Sequence, residues 1–337
     1  MAGMASVSGG LNRRKSVLRS QEAVVFLIAL IVFAGFALTL DRFLTPGNLS
    51  VLVFNMSLIG ILGCGMAVVV IGRGIDLSLI AIMAVTSAVL VQLLAGGTPI
   101  ELAIPITLLL ALAMGAVNGL IIAYFEVPAL FATLATALLF FGASRVFFLD
   151  SAVLYMPGAY SSFIALASAS IGGIPAPVLV FLLVALVLHL VLNRTAFGQL
   201  TYAQGDNIWA ARNSGAPVRV MIVIQYMISA LVAVIRGNIF SAASGAIDMQ
   251  IIRSTLIFDV VLVVVLGGVS LAGGRGSIWS VIVGTLLIGI LVNGMVILDL
   301  NSSVQGIAKG IVLICAILLD RFLHPVDEET AKQGDTF

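Results

Sequence analysis

The stretch Leu49–Ile71 reads LSVLVFNMSLIGILGCGMAVVVI, and a polar break, Gly72-Arg73-Gly74-Ile75-Asp76-Leu77-Ser78, follows it. The run carries no charge and exceeds the ~20 residues that a helix needs to cross ~30 Å of hydrocarbon. Its apolar residues are continuous rather than alternating, so it reads as a membrane helix and not as a strand of a transmembrane barrel. Nine further runs share this character: Ala23–Leu40, Ile75–Leu94, Ile100–Tyr124, Val127–Leu149, Val178–Leu192, Val218–Ile235, Leu256–Gly268, Ile278–Leu298 and Val304–Phe322. Leu256–Gly268 is short for a crossing. Phe163–Ile174, with Gly172-Gly173 inside it, reads as a re-entrant or interfacial piece, so the count lies between nine and eleven.

Composition agrees. Of 337 residues 61% are apolar and 9% charged, whereas a soluble domain carries roughly 25% charge. The apolar fraction supplies about ten spans of ~20 residues. The expected fold is all-α, a polytopic integral membrane helical bundle of about ten transmembrane helices. A water-soluble enzyme is excluded, and so is disorder, which needs low hydrophobicity and high charge. A net charge of +1 gives no dense basic face for a phosphate backbone, so no nucleic acid is expected as a partner. Cys64 and Cys315 lie inside apolar runs as small buried hydrophobes. His189 and His324 lie near span ends, and no cluster has metal-ligand spacing.

Arg13, Arg14, Lys15 and Arg19 precede the first run, which is too long for a signal peptide and lacks a small-residue cleavage site, so it reads as an uncleaved span. With the N-terminus inside, these four cations join Arg73, Arg194, Arg212, Arg219, Arg275, Arg321 and Lys332 on the cytosolic side. Arg42, Arg145, Arg236 and Arg253 fall outside, and Lys309 lies within the last run. That asymmetry follows the positive-inside rule. The organisation expected is a cytoplasmic tail over 1–22, a transmembrane domain over 23–323 with a cytoplasmic loop at 193–219, and a second cytoplasmic tail over 324–337. Asn118-Gly119 recurs weakly as Asn293-Gly294, a slight echo of repeated halves.

Three motifs stand out. In the loop 193–219, Asp206 or Asn207 can cap a short helix over Ile208–Asn213 that Gly215 and Pro217 end. Its small residues suit docking into another protein's groove, against the plainer reading of a solvated connector. Asp76 either caps the following helix or lines a pathway, and both hold if that helix starts within the membrane. The segment 266–277 carries Gly267, Gly268, Gly273, Gly274 and Gly276 but no lysine, so it is no phosphate loop. It reads as a tight turn between packed helices, or a hinge. Asn55, Ser78, Asn118, Thr133, Thr136, Asp259, Asn293 and Gln305 join Asp76 as candidate pathway or gating residues, each with interhelical hydrogen bonding as the plainer reading.

Four stretches resemble the permease subunit of bacterial sugar ABC importers of the ribose/xylose/galactose type. They are Gly74–Ser78; Val127-Pro128 through Thr136; Thr195 through Gly215, with Tyr202, Ala203, Gly205, Asn207, Ala210, Ala211, Arg212 and Ser214; and Phe258-Asp259 leading to Leu266–Ser277. The resemblance runs from about residue 45 to 322. It implies a non-catalytic subunit of the bacterial inner membrane, with both termini cytoplasmic, that lines a translocation pathway. It implies as partners two ATP-binding subunits or one fused double ATPase, a second permease copy in a homo- or heterodimer, a periplasmic or surface-anchored sugar-binding protein, and the lipid bilayer. ATP and Mg would be bound by partner subunits and no cofactor by this chain. Coupling to the ATPase would fall on Ala203, Gly205, Asn207, Ala210, Ala211, Ser214 and Gly215. The chain departs from the pattern at Arg73, Ile80, Ala135, Gln204, Asp206, Ile257 and Val269, which leaves room for pairing with a different permease. The competing function is an ion-coupled secondary transporter of a small polar solute, for which Asp76 and Asp259 are the candidate carboxylates.

Overall fold

The computed structural model describes residues 21–147 and 151–323, the last five of these (319–323) by backbone only. The expected tails, with Arg13, Arg14, Lys15, Arg19 and Lys332 among their cations, lie outside the described residues, apart from positions 21 and 22.

The described helices are α1 (Gln21–Thr39), α2 (Pro46–Ile71), α3 (Leu79–Ala95), α4 (Ile100–Tyr124), α5 (Ala129–Phe147), α6 (Ser161–Ser168), α7 (Ala176–Arg194), α8 (Ala196–Asp206), α9 (Ile208–Asn213), α10 (Val218–Ser244), α11 (Leu256–Gly267), α12 (Ile278–Ile297) and α13 (Ser302–Leu323). Seven of them (α1, α2, α4, α5, α7, α10 and α12) are long and apolar enough to cross a membrane. Shorter apolar helices occupy three further runs: α3, α11 and Ser302–Leu318 of α13. The molecule is a predominantly α-helical, polytopic bundle.

The Leu49–Ile71 run sits at its centre. Thr45 caps α2, its Oγ1 accepting the Asn48 amide at 3.4 Å, and Pro46 occupies the first turn, where no amide is needed. A helix apolar on every side belongs in the interior, and α2 is buried from Met56 to Ile71 among α7, α10, α11 and α12. Around it α10 packs on α3 and α4, α1 on α12, and α13 on α11. The α4–α10 seam is tight because Gly115 and Gly119 lie against the α10 backbone. A Cβ at Gly119 would fall 2.4 Å from Val223 Cα.

Several bounds differ from the sequence reading. The third span begins at Leu79 and not Ile75, because Gly74–Ser78 is a non-helical turn. The sixth apolar run lengthens to α7. The seventh does not stop at Ile235; α10 continues to Ser244 with Arg236 buried inside it. Residues 163–174 form the end of α6 and a small hairpin, β2 (Ser170–Ile171) with β3 (Ile174–Pro175), turning on Gly172 and Gly173, both at positive φ. Nearby β1 (Val153–Tyr155) pairs antiparallel with β4 (Ala246–Asp248), Leu154 opposite Ile247. The loop 193–217 is mostly helical: Thr195 accepts the Gly198 amide and starts α8 ahead of α9.

Candidate functional site

The break between α2 and α3 places a cluster of polar groups in the interior. Asp76 and Ser78 are fully buried there. Among the described residues the Asp76 carboxylate has no cationic partner; it accepts from the Ser78 amide (3.0 Å), the Ser78 hydroxyl (2.6 Å) and the Ser229 hydroxyl of α10 (2.8 Å). Asn118 Nδ2 of α4 donates to Ser78 Oγ at 2.6 Å. Thr133 of α5 accepts from the Leu77 amide at 3.1 Å, and the Tyr226 hydroxyl donates to the Ile75 carbonyl at 3.2 Å. Irregular backbone at membrane depth persists only where protein satisfies its polar groups. Here three helices, α4, α5 and α10, do so, and the turn between α2 and α3 ties all five into one joint.

Of the pathway candidates, the structure brings together Asp76, Ser78, Asn118 and Thr133. Thr136 is buried one turn on and donates to the Thr133 carbonyl at 3.1 Å. The others lie apart. Asn55 is exposed on α2. Asn293 exchanges two amide hydrogen bonds with Asn48 (3.0 and 2.9 Å). Gln305 donates to the Leu300 carbonyl near the start of α13. Asp259 meets Lys309 of α13 at 2.7 Å, both side chains 9% exposed. Sequence reasoning missed Ser229 and Tyr226 of the joint. Their signal was present, since Gln225, Tyr226 and Ser229 are polar residues inside one apolar run.

The glycine-rich segment lies beside α8. Gly268 ends α11 in the left-handed conformation (φ 108°), and Gly273, Gly274 and Gly276 also have positive φ. Gly267 lies against the Ser280 carbonyl and Gly205 against the Ile71 carbonyl, with no room for a Cβ at either. The Gly274 amide donates to Ile71 O (2.9 Å), Gln204 Nε2 to Gly72 O (2.9 Å) and the Tyr202 hydroxyl to Gly276 O (2.9 Å). Burial pushes the Tyr202 phenol above its ordinary pKa, which keeps that donor protonated. The segment closes on Ser277, whose hydroxyl and that of Ser280 form a capping box at the start of α12.

On α9, Asn207 is the cap, its Oδ1 accepting from Trp209 N (3.0 Å) and Ala210 N (2.9 Å). Ala210, Ser214 and Gly215 are exposed, as is Ala203 on α8, whereas Ala211 and Gly205 face inward. Between α9 and the bundle lies a cavity of about 660 Å³, lined in part by Arg73, Glu126, Gln204, Trp209, Arg212 and Gln225, with Tyr226 and Gly74 toward the joint. Three of the loops assigned to one side of the membrane by sequence (72–74, 125–126 and 193–217) thus share one end of the bundle. The 269–277 segment joins them through α8.

Residues 48–317 match a family described as branched-chain amino acid transport system / permease component. Among similar curated proteins, the ribose import permease protein RbsC of Bacillus subtilis is 34% identical over 88% of this chain and 90% of its own length. The D-allose transport system permease protein AlsC of Escherichia coli is 32% identical, again over 88% and 90%. The L-arabinose transport system permease protein AraH of Escherichia coli is 33% identical over the same shares. No solved structure matches the chain. The family description names amino acids and these relatives name sugars, so the fold by itself does not set the cargo. With matches over most of its length, the chain belongs to the sugar-type ABC transporter permeases, the ribose, allose and arabinose family, as its non-catalytic transmembrane permease subunit.

Proposed function

We propose that the chain imports a small sugar or polyol through the bacterial inner membrane, paired with a second permease and driven by separate ATPase subunits that grip α9. The observation that carries this reading is α9 itself. It is a six-residue helix, capped by Asn207 and ended at Gly215, and it presents Ala210 and Ser214 outward at the end of the bundle where the 72–74 and 125–126 loops gather. So short a helix is not stable alone; here it is fixed to the bundle and offers an outer face without bulky side chains at those positions. Ala203 and Gly215 extend that face, while Gly205 and Ala211 seat it from within. A binding protein would deliver the sugar to the opposite end, and both termini would be cytoplasmic. The joint at Asp76 is the proposed gate, because a shift of α10 against α3 must break or remake the Ser229–Asp76 bond.

The test is reconstitution with the cognate ATPase and binding protein. Uptake of a sugar that depends on ATP and on both partners supports the reading. Uptake by the chain alone down an ion gradient overturns it and favours the secondary transporter. Against that alternative, Asp259 is held by Lys309 and Asp76 by three hydrogen bonds. Pull-down of the tagged chain from its native membrane distinguishes the two dimers: recovery of one permease species means a homodimer, of two a heterodimer.

A further inference from the structure

The cavity behind α9 has properties that neither the gate nor the outer face of α9 uses. Among the described residues three non-glycine residues have left-handed backbone: Arg73 (φ 69°), Glu126 (φ 56°) and Asp299 (φ 53°). Arg73 and Glu126 both line this cavity. Such conformations persist only where the surroundings over-determine them, and they cluster at ligand clamps and switches. Glycine would adopt the Arg73 conformation without strain. A guanidinium is therefore held at this wall against the preference of the backbone.

The charge is also uneven. The lining carries Arg73 and Arg212 against Glu126, and Glu126 is turned to Arg219, outside the lining, at 3.3 Å. Arg212 stacks over Trp209, its Cζ 5.2 Å from the ring centroid. Deeper in, Gln204 and Gln225 bond to each other and to the Gly72 carbonyl and the Thr201 hydroxyl, 2% and 1% exposed, and form the fixed floor of the cavity. Guanidinium forks match phosphate oxygens. The half-exposed Trp209 indole offers an apolar face with one polar edge, a surface on which a sugar ring packs. The volume suits one small molecule. Of α9, Ile208, Trp209 and Arg212 line the cavity while Ala210, and Ser214 just past the helix end, do not, so a ligand and an ATPase would engage different faces of the same helix.

We infer that this cavity is a cytosolic binding site for a phosphorylated sugar, which wedges between α9 and the bundle and slows import. The slowing rests on the reading of α9 as the coupling helix; the binding does not.

Two measurements test it. The chain, purified in neutral detergent, is heated with ribose 5-phosphate, glucose 6-phosphate, the free sugars or inorganic phosphate, and separately in nanodiscs containing phosphatidylglycerol. The full importer is then assayed in vesicles loaded with ATP and the same compounds. The inference expects at least one sugar phosphate to raise the melting temperature and lower uptake, with its parent sugar and inorganic phosphate weaker at equal concentration. In Arg73→Gly and Arg212→Gln the half-effect concentration rises about tenfold or more, the loss of one charge-assisted contact. Each variant is referred to its own uptake without ligand. Three results overturn the inference: no shift with any sugar phosphate, the full shift reproduced by inorganic phosphate, or a shift seen only with phosphatidylglycerol. ATP-driven uptake that ignores a bound sugar phosphate overturns the regulatory half and leaves the importer reading standing. Uptake without ATP overturns the importer reading and leaves the melting experiment to judge the cavity.

Discussion

Two buried carboxylates in this chain are stabilised by opposite means. Asp76 is surrounded by neutral donors, and Asp259 by a lysine. Replacing Asp76 with alanine leaves the Ser78 amide and the Ser78 and Ser229 hydroxyls without their acceptor, a loss on the order of 3 kcal/mol. Asp76→Asn keeps one acceptor oxygen, and the Ser229 hydroxyl can rotate to accept from the new amide. The melting temperature of the purified chain should therefore fall well below wild type for Asp76→Ala and stay near it for Asp76→Asn; equal melting of the two variants would mean that these bonds contribute little. At the other site, Lys309→Met strands the Asp259 charge and should cost about 3–5 kcal/mol, whereas Lys309→Met combined with Asp259→Leu removes both charges and should recover most of that. A double-mutant cycle on unfolding in detergent measures the coupling, and additive losses would reject a buried pair.

At the scale of elements, the informative one is α9. Asn207→Ala removes the acceptor for two amides and should weaken the helix by about 1 kcal/mol. The expected readout is reduced co-purification of the ATPase with normal insertion of the chain. Gly215→Trp puts a bulky residue at φ 88°, where only glycine is relaxed. Uptake should be lost while abundance is kept, and full ATPase association in this variant would count against α9 as the docking helix. The bounds of α9 were legible in the sequence because its start and stop signals are local: an asparagine before it, a glycine and a proline after it. The helix α8 was not legible, although Thr195 precedes it, because what fixes α8 is distant, namely Gly72, Gly274 and Gly276. The late start of α3 was hidden for a related reason. Ile75 and Leu77 continue an apolar run, and apolar counting cannot register a serine amide and hydroxyl turned back onto Asp76. The role of Lys309 within its span is likewise not local, since its partner Asp259 lies 50 residues away. A charge such as Arg236 reads as the end of a span; in the structure its guanidinium donates to Met83 Sδ at 2.8 Å and lies 4.6 Å from the Phe240 ring centroid, so α10 continues through it.

For the molecule as a whole, the order of burial shows how the bundle is built. The α2 span is 89% buried and the α1 span 11% buried, so the chain is arranged around its second helix, with apolar helices at the periphery left to meet lipid or another subunit. Within that arrangement the α4–α10 seam sets the position of the joint, because Asn118 on α4 and Ser229 on α10 reach Ser78 and Asp76 from its two sides. Gly119 holds the seam closed. A leucine there cannot fit against Val223, and α4 must move away from α10, taking Asn118 with it. Overpacking of this kind typically costs 1–3 kcal/mol, and the displaced amide adds a lost hydrogen bond. Gly119→Leu should therefore lower both the melting temperature and uptake. Gly35→Ala, on the exposed face of α1 with nothing within 4 Å, should stay within about 0.5 kcal/mol of wild type. If both variants melt and transport alike, the α4–α10 seam is as loose as the open face of α1, and a gate that depends on α10 moving against α3 and α4 has no rigid frame to move against.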